Sequence, residues 1–172
     1  MSFKWHEIIL SEHSEDYPFF RFFKEPIKLT QPIISSVDSW MAEEYSYKGL
    51  IIIGPNRQHL LYLIAHYLGL PIVSVAELNS TVASMAADRA EFSKNYNNLL
   101  KGYISHVNAF DGIGSETIAS KSLVVKDIID KLWLNGQGIV GSVAIDMSSF
   151  SMKYGQETLD KMSKSCKLIE LK

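Results

Sequence analysis

The chain has 172 residues, 47% of them hydrophobic, which is enough for one sizeable core and too few for two full domains. A net charge of −2 and a pI of about 6.2 give no overall basic character, so counterion release from nucleic acid is not a general driving force. The single cysteine, Cys166, excludes an internal disulfide; with no apolar run of about 18 residues and no charged-then-apolar leader, the sequence reads as that of a cytoplasmic protein without a membrane partner.

Residues 1–34 read as an N-terminal extension packed on the core, with neither helical nor alternating periodicity. Its aromatic cluster, Phe19, Phe20, Phe22 and Phe23, reads first as an anchor onto the chain's own domain and second as an exposed partner patch. The domain proper, 35–172, opens with a helix from Ser35 or Ser36, in which Val37, Trp40 and Met41 share a face. LIII at 50–53 is wholly apolar and closed by Gly54 and Pro55, as expected of a parallel strand buried on both faces. A helical pattern follows through Leu60, Leu61, Ile64 and Leu68 to a cap at Gly69. Next come a strand at 71–75, one long polar-studded helix at about 81–100, a strand near 106–111 and a helix at about 120–134. A strand at 138–143, a short helical stretch and a strand at 167–171 complete the chain. This alternation predicts an α/β fold in three layers, a parallel sheet with helices on both faces, as in a P-loop NTPase core.

In such a sheet, ligands bind beyond the C-terminal strand ends, so the turn Gly54-Pro55-Asn56-Arg57-Gln58-His59 is where a phosphate cradle belongs. A working P-loop reads G-x-x-x-x-G-K-[ST], with amides around the phosphates, a lysine on the terminal ones and a hydroxyl on magnesium. Here Gly54 is followed by PNRQHLL, with no second glycine, no lysine and no hydroxyl. Arg57 reads as a solvated side chain in a shortened turn rather than as an anion ligand.

Four segments in this order, IIIGPNRQHLLYLIAHYLG at 51–69, NAFDGIGSE at 108–116, GIVGSVAID at 138–146 and YGQETLDKM at 154–162, resemble the bacterial replicative-helicase loaders of the AAA+ class (DnaC/DnaI/IstB-like). The resemblance covers most of the chain, from about Leu50 to Leu171. It implies that Gly54, Pro55 and Asn56 are the remnant of a Walker A loop that has lost roughly three residues and its GKT. Asp111 falls on the aspartate that holds the magnesium hydration shell, Gly112 replaces the second acid, and Glu116 continues the motif. Without that second carboxylate, nothing orients the attacking water. Val143 stands at the nucleotide-sensing asparagine next to a retained Ser142, while Glu157 and Lys161 stand at two arginines that act on nucleotide. A carboxylate in place of an arginine finger repels the γ-phosphate. The resemblance therefore implies an inactive ATPase homologue with no separate lid domain, no nucleotide cofactor and no metal. Such a protein acts as an adaptor or inhibitor by binding the replicative helicase, an initiator or another loader, as a monomer or dimer. A small initiator-like AAA+ protein that recruits a partner is the alternative, followed by a small α/β enzyme with an unrecognised pocket.

Other constellations are weaker. His59 and His66 lie seven apart, whereas a helical zinc pair needs i, i+4 spacing. His106 beside Asp111 reads as structural rather than as an acid–base pair, and Cys166 as a buried inert thiol. In the helix at 81–100, Lys94 and Tyr96, with Lys101 just beyond, supply the elements of a single-stranded DNA contact. The mixed charge of that segment reads first as a solvated face.

Overall fold

The computed structural model describes residues 5–6, 27, 29–42, 48–116 and 123–172. Phe19, Phe20, Phe22 and Phe23 lie outside the described residues. Helix α1 (Gln31–Ala42) begins ahead of Ser35, the expected start. The reason is Pro32: in a first turn the missing N–H has no intrahelical partner anyway, and the ring's fixed φ suits a helix. Val37 and Trp40 are its buried face, and the Trp40 indole donates to the Lys48 carbonyl over 2.7 Å.

Strand β1 (Gly49–Ile53) leads to α2 (Arg57–Leu68), which closes on Gly69 in the left-handed conformation, as the sequence predicts. After β2 (Ile72–Ser74), the chain forms two helices, α3 (Val75–Met85) and α4 (Phe92–Ile104), where one helix over 81–100 was expected. Local hydrogen bonding explains the break. Ser74 caps α3 through the Glu77 amide, and the Asp88 carboxylate accepts from the amides of Ala90 and Glu91, diverting them from a continuous helical ladder.

Strand β3 (Ala109–Ile113), α5 (Val124–Leu134) and β4 (Val140–Val143) follow. The short helical stretch expected before the last strand is two helices, α6 (Met147–Tyr154) and α7 (Gln156–Ser165), separated at Gly155, whose φ of 91° few other residues adopt. Strand β5 (Cys166–Glu170) ends the sheet.

All strand pairs are parallel, in the order β2-β3-β4-β1-β5. Alternation along β1 splits the interior in two. Leu50 and Ile52 face a core with Trp40, Leu60 and Ile64, so α1 and α2 cover one face. Ile51 faces Val75, Val82, Leu100, Ile128 and Phe150, so α3 to α7 cover the other. The result is the expected three-layer α/β core, and no separate lid is present among the described residues. A register shift between Phe110 and Ile113 breaks the β3–β4 ladder at Asp111 and Gly112, which aims the segment after Phe110 across the end of β4.

Candidate functional site at the C-terminal strand ends

The topology gathers the ends of β1, β3 and β4 at one edge. At the end of β1, Gly54 has a φ of 99°, and a Cβ there would sit 2.2 Å from the Leu171 carbonyl oxygen. The glycine thus admits the chain following β5, whose Leu171 amide donates to the Ile53 carbonyl over 2.9 Å. Only Gly54, Pro55 and Asn56 separate β1 from α2. Asn56 is left-handed with a φ of 56°, and the Arg57 guanidinium folds back to donate to the Gly54 carbonyl over 3.3 Å. Arg57 is therefore partly buried against its own turn rather than solvated as expected.

Asp111 is held by three side chains of this chain. Its Oδ1 accepts from Ser142 Oγ at 2.7 Å, while Oδ2 accepts from Gln58 Nε2 at 2.9 Å and from Tyr62 Oη at 3.4 Å. Ser142 Oγ in turn accepts from the Gly112 amide over 3.1 Å. A carboxylate has about four lone-pair sites, and three are taken by donors of this chain. Burial, followed by the charge of Asp111, raises the Tyr62 phenol above its ordinary pKa. His106, by contrast, is exposed.

Glu116 turns inward. It is 5% exposed and receives the Tyr154 hydroxyl and the Gly114 amide, the latter at 3.2 Å, on one oxygen; its other oxygen is buried with no hydrogen-bond partner among the described residues. Lys153 lies 3.6 Å from the same carboxylate and donates to the Gly114 carbonyl at 2.6 Å. Burial and the neighbouring Glu116 push the Tyr154 phenol far above its ordinary range. Gly114 is required here: its φ is 99°, and a Cβ would meet Ile145 at 2.6 Å.

Val143 is buried in the core behind the site. Lys161 pairs at 2.7 Å with Asp130 of α5 and at 2.7 Å with Glu157 of its own helix, and Lys126 holds the other Asp130 oxygen at 2.6 Å. Burial raises the Asp130 pKa, but the hydrogen bonds from Lys126 and Lys161 outweigh it and leave the carboxyl below its ordinary value. Glu157, with its side chain 83% exposed, faces solvent.

The expected DNA contact is not assembled as a stacking platform. Tyr96 is buried, its ring stacks on Phe92 with centroids 5.4 Å apart, and its hydroxyl donates to Asp127 over 2.5 Å. Lys94 and Lys101 are exposed on the same helix, whereas the Tyr96 ring is buried. His59 is buried and His66 exposed, and among the described residues no group of three or more His, Cys, Asp or Glu could hold a metal ion. Among the same residues, no helix is long and apolar enough to cross a membrane.

No protein-family model and no curated protein matches the chain. Solved structures do. The crystal structure of the DnaC helicase loader superposes with a TM-score of 0.60 at 15% identity, over 86% of this chain and 93% of that one. The chain has a DnaC-like AAA+ fold. AMPPCP-bound DnaA from Aquifex aeolicus superposes with a TM-score of 0.54 at 14% identity, over 86% of this chain but only 49% of the DnaA chain. At these identities the fold is what is shared. On an AAA+ frame, the β1–α2 turn, the exit of β3 and the end of β4 are the three places at which the sequence resemblance puts Walker A, Walker B and the sensing residue, and the structure brings them together. Gln58, which the sequence placed in that turn without a role, and Tyr62, which it did not single out, complete the site. Their i, i+4 spacing on α2 was the available signal, since it sets both polar tips on one helix face. Lys153 and Tyr154 were also missed as a clasp, although Tyr154 belongs to a segment that carried the resemblance.

Proposed function

We propose that this protein is a non-catalytic AAA+ homologue that works by binding replication proteins, as an adaptor or inhibitor, and neither binds nor hydrolyses ATP. The observation that carries this reading is the state of Asp111. Ser142, Gln58 and Tyr62 take three of its about four lone-pair sites, and the amide of Gln58 stands on an oxygen that a hydrated magnesium ion would approach. The three-residue turn at Gly54 is too short to wrap a phosphate in successive amides, and Lys161 is committed to Asp130 within the same chain.

The likeness to a helicase loader over 93% of that chain supports testing a replicative helicase first, with an initiator or another loader next. The weaker likeness to DnaA favours, as a second reading, an initiator-like protein that recruits a partner to DNA or to the replisome. Without nucleotide at a subunit interface, a monomer or dimer is expected. Calorimetric titration of ATP and ADP with magnesium, run beside binding assays against purified replicative helicase and initiator, tests the reading. No nucleotide heat together with binding to either protein supports it; micromolar nucleotide affinity overturns it.

A further inference from the structure

We propose that the cleft at the C-terminal ends of β1, β4 and β5 docks a segment of a protein partner that presents an apolar side chain beside a lysine or arginine. The inference rests on the protein-binding reading above and gives that partner its chemistry. The cleft measures about 570 Å³ and lies where open α/β sheets take their ligands. Its walls are apolar: Ile53, Val143, Ile145, Met147 and Leu168 line it. Ile169 of β5 and Leu171 just after it are buried against the α1–α2 side, so the alternating Leu168 faces the cleft side and is left 53% exposed. An exposed leucine in an apolar hollow gains from covering by another apolar group, and gains nothing from a phosphate.

The rim sets the charge. Asp146, Glu170 and Arg57 are the charged side chains among the lining residues. Asp146 caps α6 through the amide and hydroxyl of Ser149, bonds that hold its carboxyl below the ordinary value and keep it ionised. Glu170 is exposed and makes no ion pair among the described residues. The guanidinium of Arg57 is turned onto the Gly54 carbonyl. Two carboxylates against one guanidinium leave the rim net negative, which selects a cation beside the apolar group and disfavours an anion.

The test is amide NMR on the isotope-labelled full chain, titrated in turn with phenethylamine, phenylacetate and pyrophosphate. The expected result is saturable shifts at Val143, Ala144, Ile145 and Leu168 with phenethylamine, a weaker response with phenylacetate and none with pyrophosphate. Glu170→Gln should weaken phenethylamine binding about threefold, the size of an exposed charge pair, and Leu168→Ser about fivefold for its lost apolar contact. Equal response to phenylacetate, a preference for pyrophosphate, or shifts confined to other parts of the chain overturn the proposal. The three-probe comparison needs no variant, so a misfolded mutant does not blur it. It is also separate from the nucleotide titration, because an empty cleft with no ATP binding defeats this inference alone.

Discussion

Gln58 donates its side-chain amide to Asp111 across 2.9 Å, joining the first turn of α2 to the bend at the end of β3. On the non-catalytic reading proposed above, this neutral amide takes a place on Asp111 that a metal ion would otherwise approach. Replacing Gln58 with Ala should lower stability by about 1 kcal/mol, or roughly 3 °C in Tm, without creating magnesium-dependent ATP binding. Gln58→Glu sets two carboxylates together and should cost more at pH 7, with the gap between the two variants closing towards pH of about 4. Thermal melts across pH check this; a Gln58→Glu protein as stable as wild type at pH 7 would contradict the direct contact between residue 58 and Asp111.

The clasp of Tyr154, Lys153 and Glu116 ties the segment after β3 to α6. Tyr154→Phe deprives a buried carboxylate of a donor and should cost about 2 kcal/mol. Glu116→Gln removes the buried charge and should cost less, and the double substitution should cost no more than Tyr154→Phe alone, because the two side chains act as one unit. Denaturant unfolding of the three variants measures it, and additive losses would show that the pair is not coupled.

How much of this was legible in the sequence depends on range. LIII at 50–53, the Gly69 cap and the alternation of elements are local signals of pattern and turn chemistry, and they gave the parallel three-layer core. The helix over 81–100 was misread because Asp88, which interrupts it, is an ordinary polar residue until its carboxylate is seen on the amides of Ala90 and Glu91. The start of α1 lies ahead of Ser35 because Pro32, which breaks a helix interior, is at home in a first turn. At the site, missing residues such as the loop lysine could be read directly. What replaced them could not, since Gln58 meets Asp111 across 53 positions of chain and Tyr154 meets Glu116 across 38.

Tyr96 supplies a test of the DNA expectation. Its hydroxyl is spent on Asp127 and its ring on Phe92, so Tyr96→Phe should lower stability by about 1 to 2 kcal/mol and leave affinity for an oligothymidylate unchanged. Fluorescence anisotropy beside thermal melts separates the two effects; weakened DNA binding at unaltered stability would restore Tyr96 to a nucleic-acid surface.

Cys166 should be inert in the folded protein. Burial pushes its thiol up to about 11, despite hydrogen bonds with Ser165 and the Ile139 carbonyl. At pH 8 the thiolate fraction, and with it the alkylation rate, should be lower than in the urea-unfolded chain by on the order of 100-fold. Timed iodoacetamide labelling read by mass spectrometry decides it, and similar rates in the two states would mean that the last strand opens readily.

His59 should make stability depend on pH near neutrality. It is 3% exposed on the inner face of α2, and burial lowers its pKa from the ordinary 6.5. The unfolded chain takes up a proton near pH 6.5 while the folded one resists, so below that pH the unfolded state holds more protons and stability falls as the solution is acidified. Above it, neither state is protonated there and this contribution is flat. One such group changes the unfolding free energy by at most about 1.4 kcal/mol per pH unit. Urea midpoints measured from pH 7.5 down to 5.5 should therefore decline in the wild type and decline less in His59→Leu, which keeps an apolar filling and removes the titration. An equal slope in both proteins would place the acid sensitivity elsewhere.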